Sequence, residues 1–427
     1  MKKLAFFFTL LFVTNSHHIY SQPKYFTNAI KWNDYYTQEF RKAIPLNNTY
    51  TLLVGNIYPD FPGYWQNGYC YMDKFGNCTP VVTFANPTIG DLGNFDAYTN
   101  SNLVLLVGLL TPDWDTTTSQ AYIQRVNMSD NSYEIIQLSN YPSSIRTLHP
   151  CDDGGYLLAG RANPNYPNSP QWLEMYAVKL NSQFDVEWER IYDDLGYYYD
   201  NYLTDILPAP DGSGYYLLGT VNFYFNTIAS VAHGQIAVLH VNNTGEVIEQ
   251  FILDPPGNVA MQSTNIISTQ DGGFLLTPAG VALDEWNYIG SYVKLSNNFD
   301  IEWMSYASVN SYILHYGGCG NAVSLPDGSF IVGGCLGSTA NLWYDAFIGK
   351  LDENGTPLWS RRYGGSYSDY CYDMIATPDG GYLMVGRQDT LAGAFAYIVK
   401  TNCMGLLTEP QADFTFTTDS TTLAATF

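Results

Sequence analysis

The sequence predicts an all-β chain: a seven-bladed β-propeller of four-stranded antiparallel blades, closed by its N-terminal strand. Three observations predict it. The phrase "CDDGGYLLAGR" (151–161) returns down the chain, its unit has room for four short strands, and no stretch carries a convincing 3.6-residue period. Aromatic residues make up 16% of the 427 residues, with 36 Tyr, which favours strands over helices.

The copies are "NNTYTLLVGN" (47), "NSNLVLLVGL" (100), "CDDGGYLLAGR" (151), "DGSGYYLLGT" (211), "DGGFLLTPAG" (271), "DGSFIVGG" (327) and "DGGYLMVGR" (379). The strands end at Gly55, Gly108, Gly160, Gly219, Pro278, Gly333 and Gly386, spaced by 53, 52, 59, 59, 55 and 53 residues. The Asp-Gly pair opens each second strand as a hairpin turn tolerant of positive φ, and the two earliest copies use Asn instead. Each copy has a second half, clearest in "YAVKLNSQFDVEWERIY" (176), "SYVKLSNNFDIEWMSYA" (291) and "AFIGKLDENGTPLWSRRYG" (346): strand, polar turn, then a strand bearing Trp188, Trp303 or Trp359. A further apolar strand, such as "YDMIAT" (372–377), leads into the next Asp-Gly turn. One four-stranded sheet cannot bury both its faces, whereas sheets stacked radially cover one another.

The last unit lacks a good fourth strand, because "AYIVKT" (396–401) is followed by "NCMGLLTEPQ". The N-terminal "NAIKWNDYY" (28–36), with Trp32, has the pattern of a fourth strand without partners before it, so it is expected to complete that blade. A three-stranded last blade is the alternative.

Outside the repeats, Lys2, Lys3 and "LAFFFTLLFV" (4–13) read as a secretory signal peptide spanning residues 1–21. The propeller is expected over 22–405, with 406–427 a linker and the truncated start of a further domain. The apolar run is too short to span a bilayer, and no later segment qualifies. Export makes disulfides possible among the 7 Cys. Cys319 and Cys335 are equidistant from the turn at Asp327, and Cys70 and Cys78 flank "YMDKFGN". Bridged and free, buried thiols both remain open for each pair.

Lys and Arg total 18 against 40 Asp and Glu, a formal charge of -22, which repels phosphate backbones and argues against nucleic acid as a partner. Catalytic motifs are missing: the His residues at 17, 18, 149, 233, 240 and 315 are scattered, and neither HExxH, GxSxG nor a Walker-type loop occurs. No cofactor or metal is expected, and a monomer is. The more informative residues are Trp65, Trp114, Trp172, Trp286 and Trp343, each between the second and third strands of a different unit. Phe223, Tyr224, Phe225 and Phe395 stand at that place in the two remaining units. Those loops share one propeller face with Tyr-rich fourth-to-first loops, "GYYYDNY" (196–202), which holds Tyr198 and Tyr199, and "GGSYSDYCYD" (364–373). A ring of aromatics on one face suits a glycan or peptide ligand. Packing between blades explains the same pattern, and accessibility of the indoles separates the two.

The combination of "PDGGYLMVGR", "YIVKT" and "GTPLWSRRYGG" resembles the propeller repeats of secreted proteins from Bacteroidetes-type bacteria, and "ADFTF" (412–416) resembles the first strand of polycystic-kidney-disease-type (PKD-like) domains. That resemblance implies fold, export to the medium or cell surface, and type IX secretion; it assigns no activity. "LDENGTPLW" (351–359) also resembles the tryptophan-docking motif of pyrroloquinoline-quinone dehydrogenases, and is read as blade packing because the other copies degrade. The expected function is an exported, non-enzymatic binding, adhesion or scaffold module. The alternative is a secreted polysaccharide-active hydrolase or lyase with carboxylates at the channel mouth.

Overall fold

A computed structural model describes residues 25–30, 37–58, 65–84, 91–111, 119–139, 141–165, 173–193, 200–226, 231–253, 259–282, 287–307, 320–337 and 343–407. The elements there are strands. After β1 (Phe26–Ile30), the first repeat forms β2 (Thr37–Pro45), β3 (Tyr50–Tyr58), β4 (Gln66–Asp73) and β5 (Val82–Phe84). The second forms β6 (Asp91–Asn100), β7 (Leu103–Thr111), β8 (Gln120–Asn127) and β9 (Tyr133–Gln137). The third forms β10 (Ser143–Pro150), β11 (Tyr156–Ala162), β12 (Glu174–Leu180) and β13 (Val186–Tyr192). The fourth forms β14 (Asp200–Pro208), β15 (Gly214–Asn226), β16 (Val231–Asn242) and β17 (Val247–Leu253). The fifth is split into β18 (Val259–Gln262), β19 (Ile266–Ser268), β20 (Phe274–Leu276), β21 (Ala279–Ala282), β22 (Asn287–Leu295) and β23 (Ile301–Ala307). The sixth forms β24 (Asn321–Ser324), β25 (Phe330–Gly337), β26 (Tyr344–Leu351) and β27 (Pro357–Tyr363), and the seventh β28 (Asp369–Ala376), β29 (Tyr382–Thr390) and β30 (Gly393–Thr401).

Within each repeat the strands pair antiparallel in chain order, giving a four-stranded sheet for the second, third, fourth and sixth repeats. The fifth keeps the same lanes, with β18 and β19 in the first and β20 and β21 in the second. Its break falls at Pro278, the one position of the series without glycine, where the missing N–H interrupts the ladder. The seventh repeat receives β1 on its outer edge: Phe26 lies opposite Lys400 and Ile30 opposite Ala396. This strand begins two residues before the segment expected from sequence, and Trp32 lies outside the described residues. The first and seventh repeats share one eight-stranded sheet through a single parallel pairing, Thr37 with Ala394.

The recurring glycine has a steric cause. The first strands of the first, second, third, fourth and seventh units carry a bulge, between Phe40 and Lys42, Asn94 and Asp96, Ile145 and Thr147, Leu203 and Asp205, and Cys371 and Asp373. The bulge presses the first strand against the second, and a Cβ at Gly55 or Gly386 would strike the carbonyl of Glu39 or Tyr370.

Successive units are glued face to face by buried apolar clusters. Leu105, Val107 and Ile123 of the second unit pack on Leu158, Tyr176 and Val178 of the third, and Leu157, Ala159 and Met175 of the third on Leu203, Leu217 and Ala237 of the fourth. The same holds between the first and second units through Leu52, Val54, Leu106 and Val126, and between the seventh and first through Leu383, Val385, Ile398, Leu53 and Ile57. Each fully buried Leu, Ile or Val contributes roughly 1.5–3 kcal/mol. Four-stranded antiparallel sheets stacked by their faces, unit after unit, are the arrangement of a β-propeller.

The outer strands are clamped by the next unit. The Trp188 indole donates to the Asn243 carbonyl at 3.0 Å and lies over Gly245, and Trp303 donates to Glu353 O at 3.0 Å and lies over Gly355. Trp359 lies against Gly405 in the same way, so "LDENGTPLW" serves packing, as expected. Phe26 of β1 takes this place against Gly76 of the first unit. The role expected for Trp32 thus falls to Phe26.

Candidate site at the mouth of the first strands

Antiparallel alternation sorts the connections of each sheet to two ends. One end holds the Asp-Gly turns and the turns under the clamping Trp. Glycines of the Asp-Gly pairs there have φ of +73° to +84°. Their Asp side chains do more than close the turn. Asp153, Asp271, Asp327 and Asp379 pair with Lys179, Lys294, Lys350 and Lys400 of the third strand at 2.6, 2.8, 3.0 and 2.9 Å. In the fourth unit His240 replaces this Lys and meets Ser213 Oγ at 2.8 Å. The signal for it in the sequence is a Lys two or three residues after the strand's apolar start in "YAVKL", "SYVKL", "FIGKL" and "YIVKT".

The bulges fall midway along the first strands. Bulging re-aims one residue of each bulged strand, and Arg41, Phe95, Arg146, Thr204 and Tyr372 occupy equivalent places there, all half-buried. They interact across units. The Arg41 guanidinium lies 4.1 Å from the Tyr372 ring centre, and Arg146 lies 4.5 Å from Tyr202 and 6.0 Å from Phe95. Thr204 Oγ1 donates to Ser263 Oγ at 2.8 Å.

The residue after each bulge latches neighbouring first strands together. Asp373 accepts the Ala43 N–H at 2.9 Å, Asp96 the Leu148 N–H at 3.0 Å, and Asp205 the Ile266 N–H at 2.9 Å and the Asn265 side chain at 2.7 Å. Lys42, at the same place in the first unit, pairs with Asp96 at 3.0 Å. The Asp96 carboxylate holds the Lys42 ammonium above its ordinary range, against burial, with Asp373 and Asp205 adding to the pull. Burial pushes Asp205 up to about 6, against hydrogen bonds from the Ile266 and Ile206 amides. Burial likewise raises Asp369 to about 6; its two oxygens accept Gly365 N–H at 2.7 Å and Gln388 Nε2 at 2.6 Å.

Of the residues named from sequence, Trp65 and Trp343 are described. Trp343 is 40% exposed and tilts against Tyr367 with ring centres 5.5 Å apart; Trp65 is half-buried beside Tyr58 at 5.2 Å. Neither is enclosed as packing alone would require. A separate run of half-buried rings joins Tyr344 to Tyr370 at 5.3 Å and Tyr370 to Tyr372 at 5.9 Å, and the Arg41 guanidinium lies over Tyr372. Trp114, Trp172, Trp286, Tyr198 and Tyr199 lie outside the described residues, as does Cys319. Phe223, Tyr224 and Phe225 belong to β15 and Phe395 to β30, so in those units the aromatics are strand residues rather than loop residues.

The cysteines described are thiols, namely Cys70, Cys78, Cys151, Cys335, Cys371 and Cys403. A hydrogen bond between the Cys78 and Cys70 thiols, together with burial, holds Cys70 above its ordinary range. The Cys335 thiol accepts the Cys371 N–H at 3.3 Å, which ties β25 to β28.

No protein-family model matches the chain, and no curated protein does. Among solved structures it is similar to the β-propeller domain of the Trilobed protease from Pyrococcus furiosus, at 9% identity over 88% of this chain and 97% of that one, TM-score 0.46. It is similar to polysaccharide lyase Uly1, at 10% identity over 91% and 94%, TM-score 0.49. The α-L-arabinanase of Penicillium chrysogenum complexed with arabinobiose follows at 9% over 88% and 96%, TM-score 0.45. Identities of 9–10% carry over no residue's role.

Proposed function

We propose that the chain is an exported, non-enzymatic binding or adhesion module, and that it takes a glycan on the face carrying the bulged residues. The observation behind this is the run of half-buried rings from Tyr344 through Tyr370 and Tyr372 to Arg41, with the exposed Trp343 beside Tyr344 in the chain. Such rings stack on sugars.

The scaffold we infer is a closed seven-bladed propeller. Three contacts support closure: β1 on the edge of β30, Phe26 against Gly76, and β28 beside β2 through the Asp373 latch. Export rests on the N-terminal "LAFFFTLLFV", and in an oxidising compartment Cys70 and Cys78 would form a bridge. Cys319 with Cys335 remains a proposal of the same kind. A bacterial type IX route and a PKD-like domain after residue 405 remain proposals from resemblance.

A hydrolase or lyase finds one observation in its favour, the raised pKa of Asp205 and Asp369. Against it, both carboxylates already accept hydrogen bonds from their own fold. A glycan array with the purified chain, run beside a reducing-sugar release assay, tests both. Binding without release supports the module, release of new reducing ends overturns it, and silence in both removes the glycan.

A further inference from the structure

In a chain of net charge -22, four arginines lie on or beside the bulges: Arg41 and Arg146 on them, Arg161 near the end of β11 and Arg387 in β29. Three have partners. Arg41 pairs with Glu39 at 2.7 Å, Arg387 with Asp389 at 2.6 Å, and Arg161 Nε reaches Ser144 Oγ at 3.4 Å. Arg146 differs. Its Nε is enclosed without a hydrogen-bond partner, and among the described residues no carboxylate forms an ion pair with it. Its neighbours are the ring faces of Tyr202 and Phe95, with Asp200 attracting it from beyond contact.

A half-buried guanidinium whose Nε is enclosed and that has no ion pair among the described residues is costly, and an apolar residue would fold there at less cost. Burial, then repulsion from Arg161, brings it down to about 10, so it stays charged at neutral pH. The bulge that re-aims it recurs in five of the first strands, and the other four carry Arg41, Phe95, Thr204 and Tyr372. The missing element is an anion, and a carboxylate matches the guanidinium fork.

We propose that Arg146 receives the carboxylate of an acidic saccharide held among the bulged residues of the first strands. This rests on the glycan reading above and adds the ligand's charge to it.

The test is calorimetric titration of the full chain with tetragalacturonate, its methyl ester and hexaglutamate, at low and high salt. The acid form is expected to bind at least about tenfold more tightly than the ester at low salt, with the advantage fading as salt rises. Arg146→Gln should bind the two forms alike, Arg146→Lys should keep part of the preference, and Arg125→Gln, a charge loss on the outer edge, should keep all of it. Equal binding of acid and ester by the wild type overturns the role of Arg146 and leaves the glycan reading standing. Binding of hexaglutamate alone, or of nothing, overturns both. Should Arg146→Gln fail to fold, the acid-ester comparison and Arg146→Lys still decide.

Discussion

Two regions of the sheets are built from the same strands and read very differently. At the turn end the units repeat one another: Asp with Lys across the sheet, an aromatic over the next unit's glycine. Midway along the first strands the backbone repeats, bulge after bulge, while the side chain it presents changes from Arg41 to Phe95, Arg146, Thr204 and Tyr372. Repetition of side chains follows from a repeated packing problem. A repeated backbone that presents varied side chains is what a surface for an asymmetric ligand needs.

The sharpest way to break this contrast is to damage the scaffold beneath the bulges. Gly386→Val drives a side chain into the Tyr370 carbonyl and is expected to cost more than about 3 kcal/mol, read as the urea midpoint, with failure to fold as the extreme. A variant of wild-type stability would mean the bulge can relax. Next, Trp303→Ala at the turn end should cost about 3 kcal/mol and leave ligand affinity of the folded fraction unchanged. Lost affinity at full stability would place function at the wrong end.

Acidity separates the two regions further. Asp205, pushed up to about 6 from 3.8, binds its proton more tightly folded than unfolded, so its contribution is greatest below about pH 4 and declines as pH rises through 6. For Asp271, burial is outweighed by hydrogen bonds from Lys294 and Thr269, which bring it to about 2; its contribution is present above about pH 4 and lost as pH falls through 2. Urea midpoints at pH 4 and pH 7 should therefore differ less in Asp205→Asn than in the wild type, and an unchanged difference would remove Asp205, beside Lys42 and Asp96, from the cause. The smallest effect is expected for Lys294→Met. The Lys is buried but Asp271 and Glu302 stay 55% and 41% exposed, so the change at pH 7 should stay within about 1 kcal/mol. A loss above about 3 kcal/mol would show the pair to be structural in a stronger sense.

What sequence could reveal follows the same division. The strand-ending glycines, the Asp-Gly turns and Trp188, Trp303 and Trp359 were legible because packing imposes them in copy after copy. The departure at Pro278 was visible too, and the split of β20 from β21 sits at it. The bulged residues were not legible. An inserted residue shifts the period-two pattern by one, so Arg41 and Arg146 read as ordinary polar positions in a strand. Of the aromatics named from sequence, Trp343 is exposed and Trp65 half-buried, whereas Tyr344, Tyr370 and Tyr372 are placed by strand register rather than loop composition.

The clamp of each outer strand has a direction. Trp188, Trp303 and Trp359 each lean onto the unit that follows in the chain, and Phe26, on the edge of the seventh, leans onto the first. A protease nick in one polar turn would therefore loosen the sheet preceding it and spare its own outer edge, and failure would spread against the order of synthesis.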